Sequence, residues 1–252
     1  MTSSHTSKRS PLIFVLFYFI IWIILFEFIL PANNILPKPS IVIQSFGALL
    51  NDYSLPYNFL NTISSVYLPI IIAYLLIHLL SYFFVSGKNL LTDLAHSFNW
   101  FSKFLPGILI GFLLVYWFPG SIIIEFVFAF ITSFLSFIIF LQKIFNALPT
   151  EYINSARSLG VLEKRIRKEV IWKSLQPEIF GHIYELHLYI WSLIIAFEFI
   201  KGNYGLGNIF RQALLYKDLS AIFSMFIIVG VTVFVGKTII SYLNKKFAFW
   251  SL

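Results

Sequence analysis

One group of residues near the C-terminus has types and a spacing that could bind a nucleotide phosphate. Gly230, Gly236, Lys237 and Thr238 approximate a phosphate-binding loop, in which backbone N–H groups cradle a nucleotide phosphate. That motif needs four residues between its glycines and a strand before them, whereas this segment has five and lies in an apolar stretch. We therefore predict no phosphate binding and no ATP hydrolysis here, and expect both glycines to lie at helix contacts.

The histidines could bind a metal ion or act as bases. His182 and His187 are five residues apart, whereas a zinc-protease helix needs two histidines four apart with a glutamate between them. The chain has no cysteine, which excludes thiolate metal sites and cysteine nucleophiles. We therefore predict no catalytic residue, no metal site and no cofactor, and we interpret His78 and His187 as hydrogen-bonded residues between helices.

Four glutamates lie in or beside apolar stretches, namely Glu27, Glu125, Glu185 and Glu198. Ionisable groups at such depth are costly, so each is a functional-site hypothesis by default. For Glu27 and Glu198, near predicted outer ends of spans, the alternative is that the carboxylate snorkels to the lipid headgroups. Trp191 lies deeper in its predicted span. Its side chain could line a functional path or pack in the core, and the sequence leaves both interpretations open.

The composition predicts that these residues belong to a membrane protein. Of the 252 residues, 59% are hydrophobic and 12% are charged, against roughly 45–50% and about 25% in soluble domains. This excludes an ordinary cytosolic globule, a disordered protein and a nucleic-acid binder. The net charge of +7 is typical of a membrane protein whose cytoplasmic loops are rich in Lys and Arg.

Six apolar stretches approach the length of about 20 residues that a helix needs to cross a bilayer. We predict an all-α polytopic fold in a single domain over 1–252, with spans at 12–30, 57–85, 104–118, 122–141, 182–200 and 221–243. A stiff linker at 36–40 and a surface helix at 41–50 follow the first span. Loops are expected at 86–103 and 201–219.

The distribution of basic residues predicts the orientation. With both termini in the cytoplasm, four Lys and Arg residues lie outside: Lys38, Lys201, Arg211 and Lys217. The 13 that lie inside are Lys8, Arg9, Lys88, Lys103, Lys143, Arg157, Lys164, Arg165, Arg167, Lys168, Lys173, Lys245 and Lys246. Because cytoplasmic loops carry the excess of Lys and Arg, we predict that both termini are cytoplasmic.

The cytoplasmic stretch at 142–180 is the only long polar one. Residues 151–158 can form a short helix that Gly160 ends, because glycine adopts the left-handed conformation at little cost. A second helix follows, with Leu162, Ile166 and Val170 four apart on one face. We expect this pair to lie across the membrane surface, where binding of anionic lipid headgroups is one interpretation.

The same stretch resembles the EAA loop of ABC importer permeases, whose pattern is E-A-A, three residues, G, nine residues, I-x-L-P. Gly160 fits the glycine, and Asn154, Ser155 and Ala156 fall on E-A-A. The positions that fall on I, L and P are Val170, Trp172 and Lys173. The departures are Asn for Glu and Trp-Lys for Leu-Pro.

Further motifs in the same order resemble the nitrate/sulfonate/taurine/bicarbonate permease subfamily. An L-P-x-P sequence begins at Leu36, after the first span, and a Trp and a Glu occur in the fifth span as Trp191 and Glu198. A G-L-G loop follows at 205–207. The basic residues and Trp near the C-terminus are Lys245, Lys246 and Trp250.

The resemblance implies a type I ABC importer permease fold in a bacterial inner membrane. The chain would act as a homodimer with two cytoplasmic ATPase subunits, and would move a small solute delivered by an extracytoplasmic binding protein. The residues implied to contact the ATPase are Asn154, Ser155, Ala156, Arg157 and Gly160. Those implied along the translocation path are Glu198 and Trp191, where a carboxylate would assist gating or pair with Arg211 or Lys217. The alternative is a stand-alone channel or carrier without an ATPase.

Overall fold

The computed structural model describes residues 11–30, 36–85, 90–102, 104, 107–121 and 123–247. The regular elements in these ranges are all helices, which confirms the predicted all-α fold. They are α1 (Pro11–Ile23) with a π-helical turn (Ile24–Ile29), α2 (Pro39–Asn51), α3 (Leu55–Val85), α4 (Leu90–Ser102), α5 (Gly107–Trp117), α6 (Ile123–Ala147), α7 (Thr150–Ser158), α8 (Glu163–Arg165) with a π-helical turn (Ile166–Ile171), α9 (Trp172–Lys201), α10 (Leu206–Leu215) and α11 (Leu219–Phe247).

Four helical segments are long and apolar enough to cross a membrane. They are Leu55–Leu80, Ile123–Ala147, Glu163–Lys201 and Leu219–Lys246. Two shorter apolar helices, Leu16–Ile29 and Gly107–Trp117, coincide with the first and third predicted spans. The described part of α5 rises only about 16 Å, roughly half of a bilayer core.

The centre of the molecule is the contact of α3 and α6 with α9. On α3 the buried residues Val66, Ile70, Ala73 and Ile77 follow one another at spacings of three and four. That spacing gives a narrow apolar stripe on one side of a helix, as in coiled-coil packing. The opposite sides of these helices expose large apolar residues, which suits contact with lipid or with another membrane helix.

The linker predicted at 36–40 is shorter than expected, because α2 begins within it. Pro39 is the first helical residue, and Lys38 before it is extended. A proline suits this position because the N–H that it lacks would have no partner in the first helical turn. The predicted helix at 41–50 is confirmed as part of α2, which packs on α11 through a 2.6 Å contact between the Ser45 and Ser224 hydroxyls.

Two segments predicted as loops contain helices. The stretch at 86–103 forms α4, which packs on α6, and the stretch at 201–219 forms α10. In α10 the buried residues Leu206, Ile209 and Ala213 recur with a helical period. The prediction failed here because it weighed polarity and glycine content and not the spacing of apolar residues.

Some predictions concern residues outside the described ranges. These are the basic residues Lys8, Arg9, Lys88 and Lys103, and Trp250. The predicted orientation therefore stays a prediction.

Candidate functional site

The elbow between α7 and α8 is formed by a hydrogen-bonded reversal of the backbone. Gly160 has φ of +72°, and its N–H donates to the carbonyl of Arg157 at 2.9 Å. The N–H of Val161 donates to the carbonyl of Ala156 at 3.2 Å. This pair of bonds is a Schellman motif, and it confirms that Gly160 ends the first helix.

The residues predicted to bind an ATPase differ in exposure. Asn154, Ser155, Arg157 and Gly160 are exposed, whereas Ala156 is 9% exposed and packs against the rest of the chain. The apolar residue most accessible at the elbow is Leu159, which is 81% exposed and which the sequence interpretation missed. An exposed leucine beside a glycine turn is the signal that could have found it.

An exposed ion pair joins the two sides of the elbow. Nε of Arg157 donates to Oε1 of Glu163 at 2.5 Å. The hydrogen bond to Glu163 and the charge of that carboxylate raise the pKa of Arg157 above its usual value. Because both side chains are solvated, the pair orients the surface more than it stabilises the fold.

The second helix of the elbow does not follow the predicted register. The sequence predicts Leu162, Ile166 and Val170 on one face, but Leu162 is 77% exposed. Ile166 and Ile171 are buried instead, five residues apart, because the π-helical turn adds one residue between them. The helix also does not lie apart on the membrane surface, since it continues without a break into α9.

A buried hydrogen-bond network surrounds Glu198 near the C-terminal end of α9. Its carboxylate accepts a bond from the Thr62 hydroxyl at 2.7 Å and another from the Gly207 N–H at 3.0 Å. The Thr62 oxygen in turn accepts the Leu206 N–H at 2.8 Å, and Oδ1 of Asn58 accepts the Gly205 N–H at 2.8 Å. The network therefore fastens the start of α10 to both α3 and α9.

The glycines of the G-L-G sequence allow this close approach. Gly205 has φ of +87°, and a Cβ on it would lie 2.0 Å from the Glu198 carboxylate carbon. A Cβ on Gly207 would lie 2.2 Å from the backbone oxygen of Ile195. Glu198 is fully buried within this chain, so the interpretation that it snorkels to headgroups is wrong.

Lys201, which the sequence interpretation counted as a solvated outer charge, is buried beside this network. Its ammonium lies 2.7 Å from Oε1 of Glu125 and 5.4 Å from the centre of the Tyr204 ring. The acid on α6 therefore pairs with α9, and the predicted pairing of a carboxylate with Arg211 or Lys217 is wrong for Glu125. Breaking a buried pair on one side typically costs about 3–5 kcal/mol.

Outside the spans, Asp218 fixes the start of α11. It accepts bonds from the Ser220 hydroxyl at 2.7 Å, the Ala221 N–H at 3.0 Å and the Tyr53 hydroxyl at 3.2 Å. Partial burial disfavours its charge, but the three bonds outweigh burial and lower its pKa below the usual range. Burial, and then the Asp218 charge, raise the pKa of Tyr53 to about 12.

Comparison with known proteins identifies the family. Residues 80–249, which include the elbow, Glu198 and the G-L-G sequence at 205–207, match the family described as "Binding-protein-dependent transport system inner membrane component". The chain belongs to this family. It is therefore a multi-pass ABC transporter permease.

Curated relatives of the permease include proteins from two Brucella species. Probable ABC transporter permease proteins of Brucella melitensis biotype 1 and of Brucella abortus strain 2308 are each 31% identical to it over 102 residues. Those residues are 40% of this chain and 42% and 41% of the two relatives, so the chain spans about two fifths of their length. No solved structure matches the permease.

The other predicted path residue, Trp191, is buried in the permease core at 2% exposure. Its indole N–H points to the Tyr67 hydroxyl at 3.5 Å, and that hydroxyl lies 2.9 Å from Nε2 of His187. Gly236 covers the pair, since a Cβ there would lie 2.1 Å from the Tyr67 oxygen. The expected helix contact is thus confirmed for Gly236, whereas a Cβ at Gly230 would meet nothing within 4 Å in this chain.

Proposed function

We propose that this permease is the transmembrane subunit of an ATP-driven importer, which moves a small solute that an extracytoplasmic binding protein delivers. ATP hydrolysis is then the task of a partner subunit. The observation that carries the proposal is the elbow, where a glycine turn presents exposed Leu159 between α7 and the segment 163–201, which continues into a membrane span. Family membership agrees with this function.

The proposed coupling surface comprises the exposed residues of the elbow, namely Asn154, Ser155, Arg157, Leu159 and Gly160. Ala156 is buried beneath this surface and supports it by packing against the rest of the chain. A fixed turn suits docking, since a preorganised surface loses little conformational entropy when it binds. The continuous segment 163–201 connects the surface to the network around Glu198, so movement at the ATPase can reach the outer end of the permease.

We propose that Glu198 and Trp191 affect the translocation path by positioning the helices that form it, and do not line it themselves. Glu198 holds the start of α10 against α3, and Trp191 fixes α9 against α3 through Tyr67. Neither side chain is exposed in a single chain, so each would position the helices that form the path. A homodimer is the proposed assembly, with the exposed apolar faces available to lipid and to the second copy.

The solute class is proposed from sequence motifs alone. The L-P-x-P sequence at Leu36 and the G-L-G loop at 205–207 favour the nitrate/sulfonate/taurine/bicarbonate subfamily. The G-L-G loop has a structural role that accounts for its glycines, whatever the solute, because Gly205 and Gly207 contact Glu198 and α9 closely.

The proposed orientation in a bacterial inner membrane, with both termini cytoplasmic, can be tested by cysteine labelling. The chain has no cysteine of its own, so single substitutions give an unambiguous signal. Ser158 at the elbow and Asn203 after α9 are both exposed. An impermeant maleimide should label Asn203→Cys in intact cells and Ser158→Cys only after permeabilisation. The opposite pattern would invert the orientation.

The proposed function predicts a stable complex with an ATPase. A tagged permease, purified in mild detergent from the cells that produce it, should copurify with an ATPase. Proteoliposomes of the complex should take up solute only with ATP and binding protein. The control is an ATPase whose phosphate-loop lysine is replaced, which should bind but not drive uptake. Solute flux through the permease alone, unchanged by ATP, would favour a channel or carrier.

A further inference from the structure

A cavity lies between α4, α5, α6 and α9, and no residue of the elbow or of the network around Glu198 lines it. Its volume is about 310 Å³, near the lower end of the range for small-ligand pockets. Lys143, His182 and Asn99 line one end, close to the C-terminal end of α6. This is the end of α6 that leads into the elbow.

The other end of the cavity is mainly apolar. Ile110, Phe128 and Leu135 line it, and the hydroxyls of Thr132 and Tyr189 are its polar groups. Fifteen residues of α6 separate Lys143 from Phe128, a rise of about 22 Å along the helix axis. The cavity is therefore amphipathic along the axis of α6, with its cation at the end near the elbow.

Two of the groups at the polar end, the Lys143 ammonium and the His182 ring, are not fully satisfied by the described residues. Among the described residues, no acid forms an ion pair with the Lys143 ammonium. His182 stacks on Phe140 and its Nε2 lies 2.9 Å from the Ser136 hydroxyl. Its Nδ1 is buried without a hydrogen-bond partner, and the Glu185 carboxylate lies 3.9 Å away, mostly solvated.

We propose that this cavity binds an anionic phospholipid, with the phosphate at Lys143 and part of one acyl chain along Phe128 and Leu135. Basic pockets between membrane helices on the cytoplasmic side bind phosphate-bearing headgroups. A lipid fits better than a soluble anion, because the lining extends about 22 Å along α6 from Lys143 to an apolar end at Phe128, where an inorganic anion gains nothing. The inference goes beyond the transport function and does not depend on it.

Two variants test the charge and the shape of the proposed lipid site separately. Lys143→Gln removes the cation at an exposed position, so the fold should be retained, and Thr132→Phe narrows the apolar end without changing charge. Lys168→Gln is the matched control, because Lys168 is exposed on the π-helical turn and does not line the cavity. Each variant is reconstituted in nanodiscs of phosphatidylcholine with a minor fraction of phosphatidylglycerol, and the retained lipid is quantified by mass spectrometry.

We expect retention of phosphatidylglycerol to fall roughly fivefold in Lys143→Gln, the effect of about one basic residue near a headgroup. Thr132→Phe should lower it as well, and Lys168→Gln should not. Equal losses in Lys143→Gln and Lys168→Gln would overturn the site in favour of general surface attraction. A further measurement is the unfolding temperature in pure phosphatidylcholine with and without inorganic phosphate. If phosphate raised it for the natural chain but not for Lys143→Gln, the site would bind a soluble anion, and the lipid proposal would be overturned.

Discussion

A Gly207→Ala variant is expected to lose about 3 kcal/mol of folding free energy, the upper end of the usual cost of overpacking a core. The added Cβ would lie 2.2 Å from the backbone oxygen of Ile195 and 2.6 Å from the backbone nitrogen of Phe199. Both atoms belong to the central helix α9, so no side-chain rotation can relieve the contact. The separation of α10 from α9 would also lengthen the hydrogen bond from the Gly207 N–H to Glu198.

The measurement is the unfolding temperature of the purified permease and the fraction that elutes as a single species in detergent. Gly230→Ala is the matched control, since a Cβ there meets nothing within 4 Å and alanine favours a helix. Gly207→Ala should unfold well below it. Equal unfolding temperatures would show that α10 does not pack as closely on α9 as the structure has it.

A third variant separates the shape of this network from its charge. Glu198→Gln keeps the size of the side chain and can still accept the Gly207 N–H, but carries no charge. We expect a smaller loss of stability than in Gly207→Ala, since no atoms clash. Normal unfolding with lowered uptake would assign a role in transport to the charge.

Leu159→Asp is expected to weaken binding of the ATPase about a hundredfold. At the proposed coupling surface the leucine would be covered by the partner, and an unpaired charge there would be desolvated. Burial of such a charge costs several kcal/mol, and about 3 kcal/mol corresponds to a factor of roughly 100 in the dissociation constant. The measurement is the amount of ATPase retained by the tagged permease, together with ATP-dependent uptake.

Asn146→Asp provides the control for added charge, because Asn146 is exposed near the end of α6 and outside the elbow. It should retain the ATPase. Leu159 is a better position for this test than Ala156, since a charge at buried Ala156 would disturb the permease itself. Full retention of the ATPase by Leu159→Asp would contradict docking at the elbow and would favour the interpretation that this segment binds lipid headgroups.

The sequence predicted the helical fold and the elbow because both depend on local signals. Long apolar stretches predicted the four long spans, and Gly160 predicted the turn. The π-helical turn could not be foreseen, because periodicity assumes 3.6 residues per turn, and one extra residue buries Ile171 in place of Val170. Leu162 is outside the stripe because it precedes the helix in an extended conformation.

The buried polar contacts depend on tertiary structure, and the sequence did not reveal them. Lys201 follows an apolar span and precedes glycines, which is typical of an exposed end, yet it pairs with Glu125, 76 residues away. Thr62 and Asn58 lie in an apolar stretch and gain their role only because α10 returns to α3. Such pairing is set by helix packing, which a single sequence does not specify.

The irregularities of the segment 163–201 are concentrated at one end. The π-helical turn and Pro177 both lie in the part nearest the elbow, and no proline follows before the helix ends at Lys201. Helices bend most easily at such places. If an ATPase docks at the elbow as proposed, a displacement there would first bend the helix next to the elbow, and only a larger displacement would reach Glu198 at the other end. The segment would bend easily near the elbow and stay rigid over the rest of its length. An ATPase that docks as proposed could therefore bind before the far end of the helix moves.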